Sequence, residues 1–169
     1  NVGTGKTVTL SVTNGGVDVA NYTITNQSST TANITAKTLT ATASASNKVY
    51  DGTTTAAATL TFSDLVGSET LGQSVGATFA DQNVDTGIVV TVNSITLSDG
   101  DNGGLATNYT ISTGQTTTAD ITAKTLTATA SASNKVYDGT TTAAATLTFS
   151  DLVGSETLGQ SVGATFADQ

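Results

Sequence analysis

The chain has 169 residues and is built from small ones: 39 Thr, 22 Ala and 17 Gly stand against 8 aromatics, with no Pro, Cys, Met, Trp, His or Arg. Without His or Cys there is no zinc or transition-metal site of the usual kind, no thiol nucleophile, no imidazole base and no disulfide. Thirteen acidic residues against five scattered lysines give a formal charge of −8, the wrong sign and pattern for a nucleic-acid partner.

In chain order, the opening Asn1-Val2-Gly3-Thr4-Gly5 and the later Asn21-Tyr22-Thr23-Ile24 return, in diverged copies, at 83–87 and 108–111. Apolar residues then alternate with polar ones at the period of a half-buried strand. Leu39, Ala41 and Ala43 form one face, followed by Ala56, Ala58, Leu60 and Phe62, then Val75, Ala77 and Phe79. Ile88, Val90 and Val92 follow, then Tyr109 and Ile111, then Ala119, Ile121 and Ala123. Between Val92 and Ile95 the apolar phase slips by one residue, which predicts a bulge or a second short strand through Leu97. Turn signals at Asp51-Gly52, Val66-Gly67-Ser68, Asp85-Thr86-Gly87 and 98–104 separate the segments. No helical period of useful length appears, and no apolar stretch approaches the roughly 20 residues of a membrane-spanning helix, so no membrane insertion is expected.

Residues 34–82 recur letter for letter at 121–169, a spacing of 87 seen in the pairs Lys37 and Lys124, Tyr50 and Tyr137, and Phe79 and Phe166. A period of this size is that of a small domain rather than a solenoid coil. Seven or so short strands per period, each with one apolar face, predict an all-β fold of tandem immunoglobulin-like antiparallel β-sandwich repeats of about 87 residues, with Tyr50, Phe62, Phe79 and Tyr109 filling the centre. Two frames are compatible with the repeat. In the preferred one, residues 1–36 are the C-terminal half of a preceding repeat, 37–123 a complete repeat and 124–169 the N-terminal half of a following one. The alternative is 1–82 and 83–169. With no initiating Met and no charged-then-apolar leader, the chain reads as an internal piece of a longer protein.

The ordered set K-x-L-T-x-T-A and K-V-Y-D-G-T-T-T-A (Lys37 to Ala56), F-A-D-Q-N-V-D-T-G (Phe79 to Gly87), N-Y-T-I (Asn108 to Ile111) and A-D-I-T-A-K (Ala119 to Lys124) resembles the YDG repeat. That repeat and the related MBG repeat occur in tandem in large bacterial surface or secreted adhesins, including filamentous-haemagglutinin-like proteins. The resemblance implies an extracellular or cell-surface stalk or fibre region, as in cell adhesion and biofilm matrices, and carries no catalytic residue. Ala36 and Ala123 depart from it, because relatives often have proline there. Expected partners are neighbouring identical repeats of the same chain, with head-to-tail or lateral self-association. A repeated weak ligand-binding module for a glycan or surface, acting by avidity, is the alternative function.

Other motifs have a plain reading beside a sharper one. Asp99-Gly100-Asp101-Asn102-Gly103 spaces carboxylates as calcium loops do but lacks the closing bidentate Glu; a polar turn is expected, with calcium at Asp99 and Asp101 as the alternative and no other cofactor. In Tyr50-Asp51-Gly52 and its copy at Tyr137, the tyrosine is expected to anchor a strand end and Asp-Gly to make the turn, while Tyr22 and Tyr109 fit a tyrosine corner. The Thr-x-Thr ladders read as solvent faces of strands rather than as ice- or glycan-binding surfaces. Lys37 and Lys48 are not expected to form isopeptide cross-links, and the sequons at Asn21, Asn26, Asn33 and Asn108 are those of any Thr-rich chain. An enzyme is not expected, since no serine has a base nearby in sequence and the carboxylates lie in turns.

Overall fold

A chain so rich in Thr, Val and Ile at alternate positions has strand faces to bury and no helical one. The computed structural model, which describes residues 1–168, is all-β: fifteen strands and two 3₁₀ turns, at Val19–Asn21 and Ala106–Asn108, with no α-helix among the described residues.

The first segment holds β1 (Gly3–Thr9) and β2 (Ser29–Ile34), an antiparallel pair whose register shifts between Gly3 and Lys6, where Gly5 takes φ 61°. The central segment holds β3 (Lys37–Thr38), β4 (Ala41–Ala45), β5 (Lys48–Val49), β6 (Thr55–Ala56), β7 (Ala58–Phe62), β8 (Leu71–Phe79), β9 (Asp85–Asp99), β10 (Tyr109–Thr110) and β11 (Thr116–Thr122). Five of these form a sheet in the order β5-β11-β9-β8-β6, while β4 pairs with β7 and β3 with β10. The last segment holds β12 (Thr127–Ala132), β13 (Thr142–Ala143), β14 (Ala145–Ser150) and β15 (Ala164–Thr165), with β12 antiparallel to β14 and β13 antiparallel to β15.

The sequence repeat is a repeat of pairings. One period apart, β12–β14 reproduces β4–β7 and β13–β15 reproduces β6–β8. The diverged first copy does the same, since β1–β2 occupies the positions of β9–β11, and Gly5 and its counterpart Gly87 have φ 61° and 66°.

Two expectations change. Not every ladder is antiparallel: β3 runs parallel to β10 (Lys37 opposite Tyr109) and β5 parallel to β11 (Lys48 opposite Ile121). Parallel neighbours need a long connection between them, and more than sixty residues separate each pair. Nor does the phase slip after Val92 make a second strand. β9 runs unbroken for 15 residues, and burial passes from Ile88, Val90 and Val92 to the half-buried Ile95 and Leu97 within it.

Contacts divide the chain into two compact units, neither of which coincides with a sequence repeat. The first comprises Asn1–Ser44, Ala58–Ala77 and Thr91–Thr116, and buries Leu39, Leu60, Ala77, Val92 and Tyr109. The second comprises Ala45–Ala57, Thr78–Val90 and the chain from Thr117 onward, and buries Ala56, Phe79, Ile88, Val90, Ala119 and Ile121. Of the four aromatics expected at the centre, Phe79 (2 % exposed) and Tyr109 (6 %) are buried, whereas Tyr50 and Phe62 are half-buried.

Candidate functional site

The Tyr50-Asp51-Gly52 turn is organised by a lysine. Lys48, at the start of β5, places its ammonium 2.7 Å from Asp51 Oδ1, 2.6 Å from the Thr53 carbonyl, 3.1 Å from Thr53 Oγ1 and 3.2 Å from the Thr55 carbonyl. Its three protons serve these four oxygens, and the same ammonium lies 5.6 Å from the Phe79 ring centroid, a cation–π distance. Asp51 Oδ1 also accepts from the Thr53 amide at 2.9 Å and the Thr53 hydroxyl at 2.8 Å, an Asx-type turn. The Lys48 ammonium first, then the Thr53 amide and hydroxyl, hold the Asp51 carboxyl down at about 2 against an ordinary 3.8. Gly52 turns the chain at φ 73°, where a side chain is strained. The copy behaves alike: Lys135 donates to Asp138 at 2.7 Å and lies 5.7 Å from the Phe166 ring, and the Lys135 ammonium lowers the Asp138 carboxyl.

The turn also reaches outward. The Tyr50 hydroxyl donates to Glu156 Oε1, 106 residues along, and a Cβ on Gly52 would stand 2.9 Å from Val153 Cγ1. Val153 and Glu156 bound a turn closed by the Glu156 amide on the Val153 carbonyl at 3.1 Å, with Gly154 at φ 57°. Around them Tyr50, Val84, Leu126, Leu152 and Val153 line a cleft of about 210 Å³.

One period earlier the same turn has a different tyrosine on it. The Glu69 amide donates to the Val66 carbonyl at 3.1 Å, with Gly67 at φ 58°. Here the Tyr109 hydroxyl donates to Glu69 Oε2 and accepts from the Val66 amide at 3.1 Å. In both cases the carboxylate that accepts the phenol's hydrogen bond favours the neutral phenol, and raises Tyr50 and Tyr109 above the ordinary 10. Next to Tyr109, Asn108 Oδ1 accepts from the Val2 amide at 2.9 Å, and its Nδ2 donates to Asn1 Oδ1 at 3.2 Å.

Sequence reasoning treated Val66-Gly67-Ser68 as a turn and missed Glu69 and Glu156 altogether. A signal was there: these are the only two glutamates in the chain, and they stand one period apart. Tyr137, the copy of Tyr50, is 79 % exposed, and Tyr22, the copy of Tyr109, is 71 % exposed.

The remaining candidates lie apart from this arrangement. Asp99 Oδ1 accepts from the Ala106 amide at 2.8 Å, and the Asp101 amide donates to Thr70 Oγ1 at 2.7 Å. The Asp101 carbonyl accepts from the Thr70 and Gly104 amides at 3.1 and 3.2 Å. Among the described residues no three His, Cys, Asp or Glu side chains come together as metal ligands would. Lys48 faces Asp and Thr oxygens rather than an asparagine. Of the sequon residues, Asn33 and Asn108 use their Oδ1 atoms as acceptors for the Gly5 and Val2 amides.

The class these features define is an all-β protein whose strand pairings and Lys-Asp-Thr turns recur with an 87-residue sequence period. The model of the YDG domain matches it twice, over residues 35–119 and 122–169, and the chain belongs to that family. No curated protein and no solved structure is significantly similar to it.

Proposed function

We propose that the chain is a run of tandem immunoglobulin-like β-sandwich repeats, framed at 37–123. It serves as a structural stalk or fibre-forming spacer of a bacterial extracellular adhesin, without enzymatic activity or cofactor. The observation that carries this reading is the letter-for-letter return of 34–82 at 121–169. A catalytic site is needed once, whereas the reach of a spacer grows with the number of copies. The bond from Tyr50 to Glu156 supports it, because it ties a residue of one copy to a residue of the next. The excess of negative charge suits an array whose repeats must not collapse on each other.

Small-angle scattering on arrays of one, two and three periods starting at Lys37, with calcium and with chelator, tests this. The expected result is a rod that lengthens by a constant increment per period in both conditions. A compact or freely jointed particle overturns the spacer reading, and stiffening only in calcium moves the function to Asp99 and Asp101. Binding to glycans or surfaces that rises with repeat number would instead favour a ligand-binding array.

A further inference from the structure

We propose that every Val-Gly-Ser-Glu turn of the array is a two-sided socket, whose glutamate accepts one phenol from its own repeat and a second from the Tyr-Asp-Gly turn of the repeat before it. The Tyr-Asp-Gly turn is then the docking element between consecutive repeats, and its partner is a second copy of this repeat.

Each turn in the chain displays one side of the socket. Glu69 holds Tyr109, 40 residues later, on Oε2, and Glu156 holds Tyr50, 106 residues earlier, on Oε1. The two turns are the same structure one period apart, closed by the same 3.1 Å bond and with glycines at φ 58° and 57°. Translating one onto the other by 87 residues therefore brings both phenols to one carboxylate. An ionised carboxylate has about four lone-pair sites and accepts two such bonds readily.

The tyrosine census points the same way. Tyr50 and Tyr109 have a glutamate at the required offset, 106 later and 40 earlier, and each uses it. Tyr137 and Tyr22, their copies, are 79 % and 71 % exposed. Two further observations mark the joint. Gly52 leaves room for Val153 that a Cβ would take, and Asn1 and Val2, copies of Asn83 and Val84 in the preceding repeat, bond to Asn108 beside Tyr109.

This inference rests on the tandem-array part of the proposed function, but its test reads the joint itself and not the shape of the particle. The two can therefore fail separately. The full chain is compared with the same chain extended by a second copy of residues 83–169, both carrying ¹³C-labelled tyrosine, and phenol ionisation is followed by NMR. In the 169-residue chain Glu156→Gln is expected to lower the ionisation pH of Tyr50 alone. In the extended chain the same substitution is expected to lower two phenols, Tyr50 and the appended copy of Tyr109. Loss at one phenol in the extended chain overturns the two-sided socket, and loss at none overturns the docking role.

A second measurement works at neutral pH and does not need the fold to survive alkali. The chain has no cysteine, so spin labels at Thr118→Cys and Thr148→Cys are its only ones. Tyr50→Phe and Glu156→Gln are each expected to broaden the distance distribution between them. Glu156 lies outside 37–123, so its substitution leaves the complete repeat whole. An unchanged width in both variants overturns the proposal.

Discussion

At the scale of single residues, Lys48, Asp51 and Thr53 lock the turn that carries Tyr50. Folding lowers the Asp51 carboxyl from 3.8 to about 2. A carboxyl depressed in the folded state contributes stability that is complete above its unfolded value and is lost as pH falls through the folded value. The melting temperature should therefore drop as pH is lowered from about 4 to about 2, with Asp64 and Asp138, lowered in the same direction, adding to the fall. No histidine is present to titrate near neutrality, so the curve should be flat between about pH 6 and 9. Asp51→Asn keeps an acceptor for the Thr53 amide but loses the charge facing Lys48. It should melt lower at pH 7 and show a shallower acid limb, and a scanning-calorimetry series from pH 2 to 8 on both proteins checks this. The glycine of the turn offers a paired comparison. Gly52→Ala and Gly139→Ala both place a Cβ at φ near 70°, a strain of about 1–2 kcal/mol. Only the first also meets Val153 at 2.9 Å, while nothing lies within 4 Å of the second, so Gly52→Ala should lower the melting temperature further.

At the scale of strands, identical sequence is buried to different degrees in different parts of the chain. Phe79 and Phe166 have the same neighbours in sequence, yet the first is 2 % exposed and the second 39 %. Phe79→Ala should cost about 3–5 kcal/mol, the usual loss for emptying a core aromatic site, and Phe166→Ala only a fraction of it, as urea denaturation of the two variants would register. The alternating faces of β7, β8, β9 and β11 were legible in the sequence because Ala, Leu, Val and Ile at every second position leave one way to bury them. The parallel pairings of β3 and β5 were not, because each is a two-residue ladder with a strand more than sixty residues away and carries no local pattern. The phase slip in β9 was legible as a change of buried face but not as a continuous strand. Hydrogen bonding can run through a position where side-chain burial changes sides. For the site, Asp51-Gly52 as a turn was readable from local chemistry, as was the tyrosine at its edge. The destination of the Tyr50 phenol was not, since its acceptor lies 106 residues away and only the rarity of glutamate marks it.

At the scale of the whole chain, the copies provide an internal control that few proteins have. Residues 34–82 and 121–169 are identical, so their amides share intrinsic exchange rates, and any difference in protection reports what surrounds them. In the central segment Leu60 is 4 % exposed and Val90, Val92 and Ile121 at most 1 %, whereas Val8, Leu10 and Ile34, at the positions of the latter three, are 39–51 % exposed. The first and last segments therefore each leave apolar strand residues exposed that are buried at the matching positions of the central segment. Amide exchange followed by NMR should give strong protection for Leu60 and Phe79 and weak protection for Leu147 and Phe166. A synthetic peptide of residues 83–123 supplies β9, β10 and β11, which pair with β8, β3 and β5 in the central segment. If the last segment can take up these strands from outside, the peptide should raise protection at Leu147 and Phe166 toward that of their copies and leave Leu60 and Phe79 unchanged. If chains associate through the first segment of one copy and the last segment of another, the peptide should compete with that association. Exchange at Leu147 and Phe166 that stays fast in excess peptide, with self-association unaltered, would mean that the two halves recognise each other only when the chain joins them. The repeat would then be a unit of connectivity and not of docking.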